Sequence, residues 1–415
     1  MNIELVTIGT ELLLGFTVDT NGAEIARSLA DNGVQVVRRV SVADDPDAIR
    51  VAVAEALQRT GAVLTTGGLG PTRDDMSKKV VAELYQAPLE FDESVWANLL
   101  ERFARLQRQP VQSNRSQAEV PRGAVVLRNR WGTAPGLWLE GAPGLTVMLP
   151  GVPQEMRKLL QHEVVPRLRA RASGAIIRSR QLRTSGIPES TLAERLGDVE
   201  EKIAPVTLAY LPGYEGVDLR LTAWNLQPEE ADRRLGSAVE LIRGRAGDPV
   251  YGDGDTDLAA LVLERARAAG VRVAVAESCT GGLLGGRLTE IPGSSDVFVG
   301  GVIAYDNAVK VKALGVAQAL LDAHGAVSEP VVCAMALGAA ERFGVDATLA
   351  ITGIAGPGGG TEQKPVGTVW MACSLKGEVQ ARHVRFAGSR HEVRVRAAQA
   401  ALHLLFRLLG EATVR

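Results

Sequence analysis

Three short apolar runs each break into a glycine-rich turn, and that recurrence restricts this chain to few folds. The runs are AVLTT (62–66) before GGLGPTRDD, VRVAVA (271–276) before ESCTGG, and ATLAI (347–351) before TGIAGPGGG. A short run with no polar alternation is the pattern of a strand covered on both faces. A turn of small residues lets the backbone leave such a strand at angles a side chain would block. Helical patterns stand between the runs, so βαβ units on a mainly parallel sheet are expected, an α/β protein.

The chain has 415 residues, and at roughly 100–200 residues per domain two to four domains are expected. The pattern divides it accordingly. Residues 1–170 read as the first α/β unit, with strands at 2–9, 34–42 and 62–66, helices at 21–31 and 46–59, and three short strands within 123–150. Residues 171–247 read as strand (175–186), helix (189–199), two strands (205–211, 217–224) and helix (228–243), a small α+β unit. The stretch 244–257 is rich in Gly and Asp and reads as a linker, with its core at 248–257. The third unit, 258–415, opens with a helix to 269 and closes with one at 391–409.

The formal net charge of −2 argues against a protein that binds nucleic acid through bulk positive charge. No run of about 18 apolar residues is present to span a membrane. The first residues carry Glu4 and Glu11 where a secretion signal has Lys or Arg, and three cysteines with no CxxC do not make a disulfide framework. A reduced, cytoplasmic location is therefore expected. Only eight of the 46 basic residues are lysines, so a lysine beside a reactive-looking turn is informative.

The motif TGGLGPTRDD (66–75) follows a strand and precedes a helix. Gly67, Gly68 and Gly70 would let backbone N–H groups approach a phosphate, and Asp74 and Asp75 would hold a divalent cation beside it. Glu11 and Asp44 end the first two strands, and in a parallel sheet all four carboxylates would converge at one edge. Taken singly, each reads more readily as a cap or turn residue. NRWGTAPG (129–136) and LPGVPQEM (149–156) read as loops around the same cleft.

AESCTGG (276–282) has the physics of a nucleophile on a sharp strand-to-helix turn, though not the GxSxG spacing. Ser278 and Cys279 compete for the role, and a serine there also suits a helix cap. The N–H groups of Thr280, Gly281 and Gly282 are candidates to hold an oxyanion. YDNAVK (305–310) supplies Tyr305 and Lys310. No histidine is near in sequence, and a buried lysine with a lowered pKa is the available base. TGIAGPGGG (352–360) offers a second phosphate loop through Gly353, Ala355 and Gly356, with Arg394 in the last helix as its cationic partner.

Taken in order, TGGLGPTRDD, LPGVPQEM, AESCTGG, YDNAVK and TGIAGPGGG resemble the CinA family of competence-damage-inducible proteins, over essentially the whole chain. The resemblance implies an N-terminal molybdopterin-binding-like α/β domain, a small α+β KH-type middle domain and a C-terminal α/β amidohydrolase domain. It implies hydrolysis of nicotinamide mononucleotide to nicotinic acid mononucleotide and ammonia by the C-terminal domain. Ser278 falls on the family's nucleophile, and Lys310 and Tyr305 on its partners. The N-terminal domain is expected to cleave ADP-ribose to AMP and ribose 5-phosphate with a divalent metal of the Mg, Mn or Co class, at Asp44, Asp74 and Asp75. A homodimer is also implied. The middle unit departs from nucleic-acid-binding KH domains: no GxxG joins its helices, and ESTLAERLGDVEEK is acidic. The alternative from another class is a non-catalytic nucleotide- or pterin-binding protein.

Overall fold

The computed structural model describes residues 1–72, 74–172 and 174–414, with side chains described to Glu411. The backbone divides into two compact units, one of Met1–Arg178 with Ala223–Arg234, the other of Ser179–Thr222 with Leu235–Arg415.

The first unit is built on β1 (Asn2–Ile8), β2 (Gln35–Val42), β3 (Ala62–Thr66), β4 (Leu89–Phe91), β5 (Glu119–Pro121), β6 (Val125–Leu127), β7 (Gly136–Gly141) and β8 (Gly144–Leu149). Six of them form a sheet in the order β2-β1-β3-β8-β7-β6, while β4 and β5 pair separately. The first four are parallel and β7 and β6 run antiparallel at one side. Alternate residues of β1 serve two cores. Ile3 and Leu5 pack with Leu64 and Leu149, whereas Val6 and Ile8 pack with Val53 and Val63 on the opposite face. Each such side chain, fully buried, contributes about 1.5–3 kcal/mol. The helices over these faces carry the expected caps: Asp19 accepts the Gly22 N–H ahead of Thr20–Ala30, and Asp45 caps Pro46–Thr60.

Register decides what shares an edge. Thr7 stands beside Thr66, Ile8 beside Val42, and Thr66 beside Leu149. The segments after residues 8, 42, 66 and 149 therefore leave the same carboxyl edge, where ligands of open α/β sheets bind.

The second unit holds β10 (Thr207–Pro212), β12 (Val250–Asp253) and most of β9 (Ile176–Thr184) and β11 (Val217–Leu226), in a sheet ordered β10-β11-β9-β12. The strand β12 corrects the linker reading of 248–257. Val250 aligns with Thr184 and Asp253 with Leu182, and the Tyr251 side chain is buried. Gly and Asp supply the turns on each side, and their density hides a four-residue strand. The predicted helix 189–199 is two helices, Glu189–Leu196 and Val199–Ile203, broken at Gly197 in a left-handed conformation (φ +54°). The GxxG at Gly213–Gly216 closes the hairpin between β10 and β11, where Gly213 N–H donates to the Gly216 carbonyl at 2.8 Å.

The rest of this unit carries β13 (Val273–Glu277), β14 (Phe298–Ile303), β15 (Ala347–Gly353), β16 (Thr368–Leu375) and β17 (Glu378–Arg385), ordered β14-β13-β15-β16-β17. The first three are parallel and the last two antiparallel. Every residue of β13 is buried. Val273 and Val275 join the core under Leu258–Ala268 and the long last helix, Arg390–Val414, while Ala276 faces Met335 and Ala339 on the other side. Among the described residues no helix is long and apolar enough to cross a membrane.

Candidate functional site

In the second unit, register assembles the site. Glu277 lies between Ile303 and Ile351, so the turns after β13, β14 and β15 emerge side by side. Ser278 N–H donates to the Ile351 carbonyl at 2.9 Å and Ala304 N–H to the Glu277 carbonyl at 2.7 Å. The helix Asn307–Leu314 then starts under the Asp306 cap, whose carboxylate accepts Ala308 N–H at 2.7 Å. One turn in, Lys310 points back beneath the sheet edge. Its Nζ donates to the carbonyls of Ala304 at 2.9 Å and Tyr305 at 3.2 Å, and the residue is only 1% exposed. Burial lowers its pKa, against the smaller opposing pull of Asp306.

Ser278, Cys279, Tyr305, Lys310, Gly353 and Ala355 line one cavity of about 260 Å³, with Gly356 and Arg390 at the same space. The Cys279 thiol is pushed up to about 12 by burial, which keeps it protonated near neutral pH. Ser278 is thus the better placed nucleophile of the two. The Tyr305 hydroxyl accepts from Arg390 Nη2 at 2.8 Å, and Arg390 Nη1 donates to the Gly356 carbonyl at 2.7 Å. Arg390 is a cavity residue that sequence reasoning missed. Arg394 sits four residues further along the same helix, and its Nη2 and Nε donate to the Thr280 carbonyl at 2.7 and 3.3 Å. It braces the serine turn and is absent from the cavity wall. The signal that separates the two is helical phase relative to the cavity, which requires the tertiary fold.

Glu277 received no role in the sequence reading. Its buried carboxylate accepts the N–H groups of Gly282 at 3.0 Å, Leu284 at 3.1 Å and Gly285 at 2.8 Å. Gly281 N–H donates to the Ser278 carbonyl at 3.1 Å. This changes the expected oxyanion donors. Of Thr280, Gly281 and Gly282, the Thr280 N–H alone has no partner among the described residues. The Cys279 N–H makes no hydrogen bond to another residue among those described and faces its own thiol. In the second glycine loop Ile354 N–H is used by the Thr368 carbonyl at 2.8 Å, whereas those of Ala355, Gly356, Gly358 and Gly359 have no partner among the described residues. These are free donors along the cavity wall.

In the first unit, Gly67 follows β3 with φ +109°, and a Cβ there would lie 2.1 Å from the Ile8 carbonyl oxygen, so only glycine fits. Its N–H is taken by the Leu149 carbonyl at 3.1 Å, leaving Gly68 and Gly70 as the glycines with free N–H groups among the described residues. Arg73, within the motif, lies outside those residues. Asn21, in the helix after β1, donates to the Gly151 carbonyl at 2.7 Å and ties LPGVPQEM to this edge.

Three of the acidic residues are engaged by threonines. Asp44 accepts Thr10 N–H at 2.8 Å and its hydroxyl at 3.0 Å. Asp75 accepts Thr72 N–H at 2.8 Å and also the Thr72 hydroxyl. Asp74 is held below the usual carboxylate range by hydrogen bonds from Thr72 and its own backbone. Glu11 is exposed in the short helix Thr10–Leu13. Among the described residues no three His, Cys, Asp or Glu side chains are grouped to hold a metal ion. The expected convergence of Glu11, Asp44, Asp74 and Asp75 into one metal cage is not found among the described residues: Asp44 is bound by Thr10 across the sheet edge, and Asp75 closes its own turn on Thr72. Lys78, just beyond, was also missed. Burial brings its pKa down to about 8, and its ammonium donates to the Ser116 carbonyl.

Comparison with known proteins bears on each part. A family model described as CinA C-terminal domain matches residues 255–409. Models described as "Probable molybdopterin binding domain" and as damage-inducible protein CinA KH domain match 4–170 and 179–252. The chain is 53% identical over 411 residues to a CinA-like protein of Gemmatimonas aurantiaca, covering 98% of this chain and 96% of that one. It is 43% identical over 419 residues to a CinA-like protein of Chlorobaculum tepidum, covering 98% and 99%. A solved structure, the competence/damage inducible protein CihA from Agrobacterium tumefaciens, aligns with 36% of this chain and 93% of its own at 42% identity and a TM-score of 0.36.

Proposed function

The chain belongs to the CinA family, and from that premise we propose that residues 258–415 form an amidase that hydrolyses nicotinamide mononucleotide to nicotinic acid mononucleotide and ammonia. One observation carries the proposal: Lys310 is buried in the wall that also holds Ser278, with both acceptors of its Nζ being backbone carbonyls. A neutral amine has two N–H bonds and one lone pair. Two carbonyls satisfy the N–H bonds, and the lone pair is left for the serine proton.

In the reaction proposed, Lys310 takes the Ser278 hydroxyl proton as Oγ attacks the carboxamide carbon. The oxyanion is met by the free N–H of Thr280, joined by the N–H of Cys279, which exchanges its own thiol for the oxyanion. The lysine returns the proton to the departing nitrogen, the C–N bond breaks, and ammonia leaves an ester on Ser278. Water, deprotonated by Lys310, hydrolyses that ester and the proton goes back to Oγ. The free N–H groups of the Ala355–Gly359 loop and the Arg390 guanidinium hold the substrate phosphate. Tyr305, fixed by Arg390, stands at the mouth and is assigned to substrate positioning. The test is ammonia release from nicotinamide mononucleotide: full activity in Ser278→Ala would eliminate the nucleophile, and full activity in Lys310→Met the base. Tight binding without turnover by the unaltered chain would favour a non-catalytic nucleotide-binding protein.

A second reading concerns the first unit. We propose that the Gly67–Gly70 loop binds the pyrophosphate of ADP-ribose and that the ligand is cleaved there to AMP and ribose 5-phosphate. It is supported by the free N–H groups of Gly68 and Gly70 at the carboxyl edge of the sheet. Among the described residues no group of acidic side chains cages a divalent cation here, so the cation proposed would share the substrate's phosphates. Incubation with ADP-ribose and Mg, Mn or Co should release AMP; none with any of them would reduce this unit to a binding role. Assembly as a homodimer and a cytoplasmic location remain part of the proposal.

A further inference from the structure

The first unit has a concavity of about 400 Å³ whose lining includes no residue of the Gly67–Gly70 loop. The helix Glu93–Arg105 contributes Arg102 and Arg105, and the loop after β6 contributes Arg128 and Arg130. Glu101 is the one acid in the lining and is already paired with Arg105 at 2.5 Å. Four guanidinium groups against one carboxylate leave a local excess of positive charge in a chain whose formal net charge is −2. A concave wall concentrates such a field on small anions.

The loop is held in place from three sides. Asn129 Oδ1 accepts the N–H groups of Trp131 at 2.9 Å and Gly132 at 2.8 Å. Asn129 Nδ2 donates to the Ala134 carbonyl at 2.7 Å and to Glu155 Oε2 at 2.5 Å. Arg102 spans from the helix to the carbonyls of Arg130 at 3.4 Å and Trp131 at 2.5 Å. Arg128 and Arg130 flank the locked Asn129, and their guanidinium groups have no hydrogen-bond or ion-pair partner among the described residues. A fixed backbone presenting two unpaired guanidinium forks is organised before a ligand arrives. Planar forks match the oxygens of phosphate, and the cavity has room for more than one phosphoryl group.

From this juxtaposition we propose that the arginine-lined concavity between the Glu93–Arg105 helix and the Arg128–Arg130 loop is a binding site for a pyrophosphate or nucleoside diphosphate. The assignment depends on neither hydrolytic activity proposed above. Sequence reading took NRWGTAPG as a loop around the cleft of the glycine loop and gave these arginines no role.

The test is calorimetric titration of the full chain with inorganic pyrophosphate, with ADP, and with adenosine as the phosphate-free control. Pyrophosphate and ADP should bind, adenosine should not, and binding should weaken as salt rises. Tighter binding of ADP than of pyrophosphate would identify the nucleotide as the ligand, and equal binding the phosphates alone. In an R128Q/R130Q variant affinity should fall at least about tenfold, with an unchanged melting temperature because both side chains are exposed. Absence of pyrophosphate binding, or undiminished binding in the double variant, would overturn the proposal; the second result would move the phosphate to the glycine loop. Failure to release AMP from ADP-ribose leaves these titrations unaffected.

Discussion

The Glu277 carboxylate accepts the Gly282 N–H at 3.0 Å, and that bond removes a donor from the reactive cavity. With its bonds to Leu284 and Gly285 it also fixes the start of the helix Leu283–Thr289 against the turn that presents Ser278. Glu277→Gln replaces one acceptor oxygen with an NH2 group and leaves buried N–H groups unpaired. The loss should be about 1–3 kcal/mol of stability. A turn displaced by an ångström should lower kcat by about 100-fold, with a smaller change in KM. Melting temperature and steady-state kinetics check both; a kcat equal to that of the unaltered chain would remove Glu277 from this role.

Lys310 sets a pH dependence. Its pKa is lowered from 10.5 chiefly by burial, and only the neutral amine accepts a proton. Amidase kcat/KM should therefore rise with pH, with its midpoint below 10.5. Lys310→Arg keeps a cation that stays protonated throughout, so the rise and most of the rate should vanish. A rate profile of the two proteins decides it.

Arg390 and Arg394 should separate cleanly. Arg390 lines the cavity, and Arg390→Met should raise KM for nicotinamide mononucleotide by about ten- to a hundredfold through loss of a charge-assisted contact. Nicotinamide riboside, which lacks the phosphate, should show little change. Arg394 holds the Thr280 carbonyl, so Arg394→Met should lower kcat for both compounds alike. Equal effects of the two substitutions on both compounds would contradict the assignment of the phosphate to Arg390.

His403 predicts a stability effect. It is buried in the last helix, its Nδ1 lacks a partner, and burial lowers its pKa from 6.5, only partly offset by the Asp248 carbonyl at 3.4 Å. Below the unfolded value of 6.5 the unfolded chain binds a proton that the folded chain resists. Stability is thus fully present above that pH and is lost as pH falls through it. The melting temperature of His403→Gln should fall less steeply between neutral and mildly acidic pH than that of the unaltered chain. Parallel slopes would show that carboxylates elsewhere carry the effect.

Several parts of the site were legible locally. AVLTT, the VAVA of VRVAVA and ATLAI are buried strand segments because a short run without apolar–polar alternation has no face to give to water. Ser278 is at a strand-to-helix turn because Gly281 and Gly282 adopt the left-handed angles that turn needs. Lys310 stood out because lysine is scarce, and it shares a cavity wall with Ser278. The strand β12 was hidden because its pairing partner, β9, lies some 70 residues earlier in the chain. Arg390 was missed because Arg394 is on the same helix, and nothing within the helix tells which of the two faces a cavity built from other strands.

What the sequence determined by itself is local: apolar period, glycine turns and aspartate caps act over a few residues, through backbone sterics and nearest hydrogen bonds. Those set the strands, the turns and the order of three domain-sized patterns. The tertiary structure decided partnership. It spent Gly282 N–H on Glu277, closed Asp44 and Asp75 on neighbouring threonines, and brought Arg128 and Arg130 to face Arg102 and Arg105. Each of those outcomes depends on strand register and helix phase between distant segments, and a hydrogen-bonding group can be assigned a ligand only after its partners within the protein are known.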